Sequence, residues 1–269
     1  MPASGLDVRD PPDERAAVVF LHAHPDDEAI FTGGTMARLA LAGWPVVLVV
    51  ATGGELGTRF AAEGDAASLR RRREEETRRA AELLGVARVE VLGYRDSGVA
   101  GDEGNLVEGS FHAADVEEAA ARVAAICLEE RAVALVGYDD HGIYGHPDHV
   151  KVHRVAARAA SLAGLDVYEA TVDREYLHFV ETHVVVEVLD AAPELSLAAT
   201  SLGVPTVLVT TTVDVRPVLD RKRAAMAAHA SQIPPDGYAM TLEPAAFAAV
   251  YGYEWYVRHG PPGPLEALG

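Results

Sequence analysis

A three-layer α/β fold, with helices on both faces of one mostly parallel sheet, is predicted by three features of the sequence. Short Val- and Leu-rich runs alternate with longer segments of helical spacing, as successive strand and helix units require. Most of the runs are apolar throughout, the pattern of strands covered on both sides. The chain has 269 residues, 49% hydrophobic and 24% charged, enough to bury one large core. One domain is expected over 1–269, with a core over about 16–232 and a tail over 257–269.

In chain order, Ala16–Leu21 reads as the first buried strand and Gly33–Ala42 as the helix that follows it. Val46–Ala51 is the second strand, and Ala66–Leu84 the second helix, with Leu69, Ala80, Leu83 and Leu84 along one stripe. Arg73 and Glu76 fall on that same stripe, so they either form a structural ion pair or Arg73 reaches past the sheet end. Glu74 with Arg78, and Glu75 with Arg79, are favourable surface pairs at i,i+4. Val89–Leu92, Val133–Tyr138 and Pro205–Val213 are the remaining strands, with helices at Asp115–Glu130 and His149–Ala163 between them. Asp166–Asp190 mixes charge with β-branched alternation over His183–Val188, and is read as an antiparallel strand pair or an inserted subdomain. Asp214–Gln232 is read as a loop and helix, and Pro261–Gly269 as a frayed end.

Composition excludes several classes of function. With 23 Lys and Arg against 41 Asp and Glu, the net charge of -18 repels a polyanion, so nucleic acid is not an expected partner. Cys127 is the only cysteine, which rules out an intramolecular disulfide or a thiolate cluster, so a metal would need nitrogen and oxygen ligands. Residues 1–15 lack the basic start and apolar stretch of a secretory signal. The longest nearly apolar run, Leu39–Ala51, is interrupted by Gly43 and Pro45 and falls short of the roughly 20 residues of a membrane span. A cytoplasmic protein without a membrane span is expected.

Ligands of parallel sheets gather beyond the carboxyl ends of the strands. The loop after the first strand reads His22-Ala23-His24-Pro25-Asp26-Asp27-Glu28, and the one after the fourth runs from Asp139 to His149 through His141, Tyr144, His146 and Asp148. Imidazole and carboxylate suit a borderline divalent ion such as Zn²⁺, and two such clusters on neighbouring strand ends would face one site. A plain helix start explains 24–28 if they do not meet. His149 and His153 are four apart and offer an alternative ligand pair, whereas His22 is read as packing. Thr52-Gly53-Gly54-Glu55-Leu56-Gly57 lacks the first glycine of a dinucleotide turn and follows the second strand, so it is read as a Gly-rich loop over the site instead.

His24-Pro25-Asp26-Asp27-Glu28 together with Gly145-His146-Pro147-Asp148-His149 resembles the LmbE-like, or PIG-L, zinc-dependent N-deacetylases. Arg73–Glu76, Tyr94–Gly98 and Lys222–Gln232 fit the same family in the right order, so the resemblance runs from about residue 17 to 232. It implies a Rossmann-like α/β/α sandwich and one Zn²⁺ per chain, with Fe²⁺ tolerated by the same ligands. It makes His24, Asp27 and His149 the metal ligands and Asp26 the general base. A cationic His146 or the Tyr144 hydroxyl is then expected to stabilise the developing oxyanion, and Asp148 to orient His146 or a ligand histidine. Arg73 and Asp96 are expected on the substrate side.

The reaction implied is removal of the acetyl group from an N-acetylglucosamine-type conjugate, with a small amino-sugar molecule as partner. Alternatives are an amidase acting on a thiol-sugar conjugate, a non-catalytic Rossmann-like binding module, and a nucleotide-dependent oxidoreductase. The stretch from Asp96 to Phe111 resembles the thiol-cofactor branch of the family.

Overall fold

Every residue of β1 (Val18–His22), β2 (Val46–Thr52) and β4 (Ala134–Tyr138) is buried, which is why these segments carry unbroken apolar runs. The computed structural model describes residues 16–57, 65–183 and 202–268. With β3 (Arg88–Tyr94), β5 (Asp166–Thr171), β6 (Thr211–Asp214) and β7 (Tyr253–His259) they form one seven-stranded sheet of order β3-β2-β1-β4-β5-β7-β6. The first five strands are parallel, and β7 runs antiparallel to both β5 and β6. Val18 of β1 pairs with Val46 on one side and Ala134 on the other, so the strand order reverses direction between β1 and β4. That reversal opens a crevice at the carboxyl ends of these two strands.

Helices α1 (Gly33–Leu41), α2 (Ala66–Leu84), α3 (Val116–Glu129), a short turn α4 (Gly142–Gly145) and α5 (Pro147–Ala163) occupy the predicted intervals. They are followed by α6 (Arg174–His183), α7 (Leu219–Ala228), the short α8 (Tyr238–Thr241) and α9 (Pro244–Tyr251). α3 packs on α5, and α2 on α7 and α1. Local chemistry sets the ends. The Asp65 carboxylate accepts the Ser68 amide to start α2, and Gly85 stops it with φ of 79°. α5 starts two residues before the predicted position because Pro147 fits the first turn and the His146 ring caps it. Among the described residues no helix is long and apolar enough to cross a membrane.

Four expectations need correction. Asp166–Thr171 is a fifth parallel strand beside β4 and Arg174–His183 a helix, in place of a strand pair or subdomain; residues 184–190 lie outside those described. Only the end of Pro205–Val213 is strand, because Thr206–Leu208 forms a 3-10 turn whose Val207 and Leu208 are exposed. The tail expected at 257–269 begins inside β7. Beyond it, Leu265 and Leu268 are buried, and Glu266 accepts bonds from Tyr168, Thr211 and Arg258, so the end is anchored to the sheet.

β7 carries the polar contact that joins the antiparallel edge to the first βα unit. Glu254 is buried and accepts the amides of Gly34 and Thr35, each at 2.8 Å, satisfying the start of α1. Lys222 of α7 donates to the same carboxylate at 2.6 Å with both side chains 1% exposed. Gly34 makes room at the start of α1 for Val215, since a Cβ there would lie 2.3 Å from that side chain. Lys222→Ala leaves a buried carboxylate without its cation, and is expected to lower unfolding free energy by about 3–5 kcal/mol in a denaturant titration.

Candidate active site

The loops after β1 and β4 meet in the crevice. His24 Nδ1 and Asp27 Oδ2 are 3.3 Å apart, Asp27 Oδ2 and His149 Nε2 3.2 Å, and His149 Nε2 and His24 Nδ1 3.3 Å. Tetrahedral zinc with bonds of about 2.0–2.1 Å places its donors about 3.3–3.4 Å apart, so the three atoms already have the spacing of one metal's ligands. The chemistry of the set also fits. Burial alone would lower the His24 pKa, but hydrogen bonds to Asp148 and Asp27 outweigh it and raise it well above the usual imidazole value. Burial likewise opposes ionisation of Asp27, yet the His149 and His24 rings hold it well below the usual carboxylate range. Two imidazoles converging on one carboxylate attract a cation, and a divalent ion would take the place of the shared proton. His146 also lies within ligand reach of His24 and His149.

Neighbouring groups fix these rings. Asp148, fully buried, accepts from His24 Nε2 at 3.2 Å and from the Ser97 amide and hydroxyl at 3.0 and 2.5 Å. Its own amide donates to His146 Nδ1 at 3.2 Å, so Asp148 orients both histidines between which the sequence left a choice. His149 stacks on Tyr138 with ring centroids 4.6 Å apart, and its Nε2 lies 3.3 Å from the Tyr144 hydroxyl. Asp139 accepts the amides of His141 and Ile143 and the Thr171 hydroxyl, which shapes the turn carrying Tyr144.

The His146 ring is neutral and not cationic as expected. Burial and the charges on His24 and His149 push its pKa down to about 4, and its Nδ1 already accepts an amide. Its proton therefore sits on Nε2, on the side available to a ligand.

Asp26 faces the same cleft but takes no part in the triangle. Its φ is 104°, and its Oδ1 lies 3.3 Å from Arg73 Nη2. Burial raises its pKa to about 6, with Arg73 pulling the other way. Arg73, 3% exposed, donates to the Gly54 and Pro25 carbonyls at 2.5 Å each, joining the loops after β1 and β2. It does not pair with Glu76, which accepts the Ser231 amide and hydroxyl after α7. The glycines of the 52–57 loop make room for arginine, since a Cβ at Gly54 or Gly57 would lie 2.3 or 2.4 Å from Arg73 Nη1.

The cleft holds about 380 Å³ and is lined by His24, Asp26, Asp27, Arg73, Asp96, Tyr144 and His146 among polar groups, with Ile30, Phe31, Leu56 and Val99 as apolar wall. Its size and mixed lining suit a small polar molecule. Asp96 accepts the Leu56 and Gly98 amides, at 3.0 and 2.9 Å, and lies 3.7 Å from His24.

All nine residues singled out from the sequence are thus brought to one place, whereas His153 turns away to Glu169 at 3.1 Å and His22 is buried between Tyr138 and Thr32. Ser97, Asp139, Glu28 and His229 were given no role by the sequence, although the motifs contain them. Their partners lie up to 201 residues away, beyond any local pattern.

Gly54 and Gly43 both have positive φ, 63° and 89°, but a Cβ at Gly43 meets nothing within 4 Å. Gly43→Ala should cost about 1–2 kcal/mol from backbone strain alone. Gly54→Ala must also displace Arg73 and should cost a further 1–3 kcal/mol, on the order of other overpacked sites, in the same unfolding assay.

Comparison with known proteins gives the family. The family model described as PIG-L, GlcNAc-PI de-N-acetylase, matches residues 19–160. A 1D-myo-inositol 2-acetamido-2-deoxy-alpha-D-glucopyranoside deacetylase of Acidothermus cellulolyticus is 37% identical, over 90% of this chain and 88% of its own. The protein of that name from Streptomyces avermitilis is 38% identical, over 93% of both chains. Among solved structures, the N,N'-diacetylchitobiose deacetylase of Pyrococcus horikoshii superposes with a TM-score of 0.62 at 21% identity, over 94% of this chain and 87% of its own, which is a likeness of fold. With its α/β sandwich, its family match and relatives this similar along most of its length, the chain belongs to the PIG-L, or LmbE-like, deacetylase family.

Proposed function

We propose that the protein is a metal-dependent hydrolase that removes the acetyl group from an N-acetylglucosamine-type amino sugar conjugate, releasing acetate and a free amine. The observation that carries this reading is the triangle of donor atoms at 3.2–3.3 Å with a second carboxylate, Asp26, outside it but beside it in the cleft, paired with Arg73. Names of the relatives support a conjugate of N-acetylglucosamine with inositol as the first substrate to test.

His24, Asp27 and His149 would hold the metal, Zn²⁺ in our reading, with Fe²⁺ compatible with the same donors. When bound, the ion supplies Lewis-acid polarisation of the amide carbonyl and acidifies the attacking water. Asp26 removes that water's proton and delivers one to the departing nitrogen. A pKa near 6 suits both steps, because the group is ionised at neutral pH yet basic enough to accept a proton. The Nε2–H of His146 and the hydroxyl of Tyr144 are donors for the developing oxyanion. Asp148 keeps His24 and His146 oriented, while Arg73 and Asp96 form walls against which the sugar is placed.

Asp26→Asn is expected to retain metal and to lower acetate release by about 10²–10⁴-fold, whereas His149→Ala should lose both metal and activity. A metal-replete, fully active Asp26→Asn enzyme would remove Asp26 from the mechanism. Asp26 acts as a carboxylate, so the rate should fall as pH drops through its pKa, which burial holds at about 6. A bound cation nearby lowers that value, so the ascending limb of the pH–rate profile belongs at or below about pH 6 and should be lost in Asp26→Asn.

Metal uptake offers an independent check. Because the metal-free protein holds a proton on His24 well above the usual range, ion binding must release it. Affinity measured by titration should therefore rise with pH, with proton release detectable in weak buffer.

A further inference from the structure

A φ of 104° is foreign to an L residue, and Asp26 keeps it because both polar atoms of the preceding peptide are held by buried charged side chains. The Pro25 carbonyl accepts from Arg73 at 2.5 Å, and the Asp26 amide donates to Glu28 Oε2 at 3.0 Å. Glu28 is held in turn, since its Oε1 accepts from His229 Nε2 at 2.5 Å and both side chains are fully buried. Among the described residues the ring has no other polar partner, as His229 Nδ1 is buried without one. His229 stands at the end of α7, and the Gln232 and Ile233 amides donate to its carbonyl, so its place is fixed by the chain as well.

Stability alone does not account for this pair. Replacing a buried ion pair by apolar side chains of similar volume is often neutral or stabilising, so Glu28 and His229 need another reason to be there. Neither reaches the cleft, and the reaction described above uses neither. What Glu28 provides is an acceptor for the one amide whose orientation decides where the Asp26 side chain points.

We propose that Glu28 and His229 are positioning residues: Glu28, held by His229, locks the Pro25–Asp26 peptide opposite Arg73 and so presents the Asp26 carboxylate to the cleft. The inference rests on the reading of Asp26 as general base.

Five enzymes test it, all assayed for acetate release and metal content: the unaltered protein, Glu28→Ala, Glu28→Gln, Asp26→Ala and the double variant Asp26→Ala/Glu28→Ala. Glu28→Ala should keep its metal and a KM within about three-fold, while kcat falls on the order of 10²-fold, the cost of a misplaced reacting group. Glu28→Gln retains an oxygen for the Asp26 amide and should restore kcat to within about ten-fold. In the Asp26→Ala background the Glu28→Ala change should alter the residual rate by less than about two-fold, because there is no carboxylate left to position.

A Glu28→Ala enzyme with kcat within about three-fold of the unaltered protein overturns the proposal, as does an undiminished effect in the Asp26→Ala background. If Glu28→Ala does not fold, Glu28→Gln decides. A rate within about ten-fold supports positioning, and a larger fall with metal retained overturns it. A crystal structure of Glu28→Gln with the Asp26 amide no longer on residue 28, yet Asp26 unmoved, also overturns it without reference to activity. Absence of acetate release by the unaltered protein would instead defeat the functional reading itself, so the two failures are distinguishable.

Discussion

The pairing of β1 with β4 is the constraint from which the site follows. Both strands run the same way side by side, so their loops emerge together, but one feeds α1 and the other α5. The crevice between them is where His24 and Asp27 meet His149, although 125 residues separate the two histidines along the chain. Parallel register sets the donor spacing. A slip of one residue in β1 would turn His22 and His24 over and leave the crevice without its first ligand candidate.

Around this crevice the fold buries carboxylates that would be costly alone, and gives each a different partner. Asp148 receives His24 and Ser97, Glu28 receives His229, and Glu254 receives Lys222 with the first amides of α1. These sets keep their geometry through contacts within the protein. Asp27 differs because its oxygen faces two histidine nitrogens, and the His149 ring stacks on Tyr138 with no partner for its Nδ1 among the described residues. A cation held at that point would take over from the shared proton and balance the Asp27 charge, as the other three clusters balance theirs internally.

Much of this was legible in the sequence because β1, β2 and β4 are buried on both faces and their helices begin and end on local chemistry such as Asp65, Gly85 and Pro147. The nine site residues were legible for a related reason: they sit in two dense clusters at strand ends and in two single positions, Arg73 and Asp96. β7 was not. Its Glu254 is buried against Lys222 and the first amides of α1, and no periodicity shows that a charge is paired by residues 32 or more positions away. β5 reads in the sequence as part of a strand pair or subdomain, and its parallel place beside β4 is not visible there, since Glu169 in its centre is held by His153 and His259 from different elements. The clamp on Asp26 is the extreme case. Its members were visible, but their connection exists only after α7 has packed on α2 and brought His229 to Glu28.

The two adjacent aspartates show how backbone conformation divides one residue type into two roles. Regular backbone at 26 and 27 would set their environments by the same neighbours, whereas the positive φ at Asp26 sends one carboxylate to Arg73 and leaves the other on the histidines. Their ionisation then separates in opposite directions. Burial carries Asp26 up to about 6, while the His149 and His24 rings carry Asp27 down although Asp27 is the less exposed of the two. A carboxylate that never releases its charge suits a ligand, and one that gains and loses a proton near neutrality suits a base. The strained peptide before Asp26 is therefore more than a local irregularity, because without it the sequence Asp-Asp would supply two similar acids where the proposed chemistry needs two different ones.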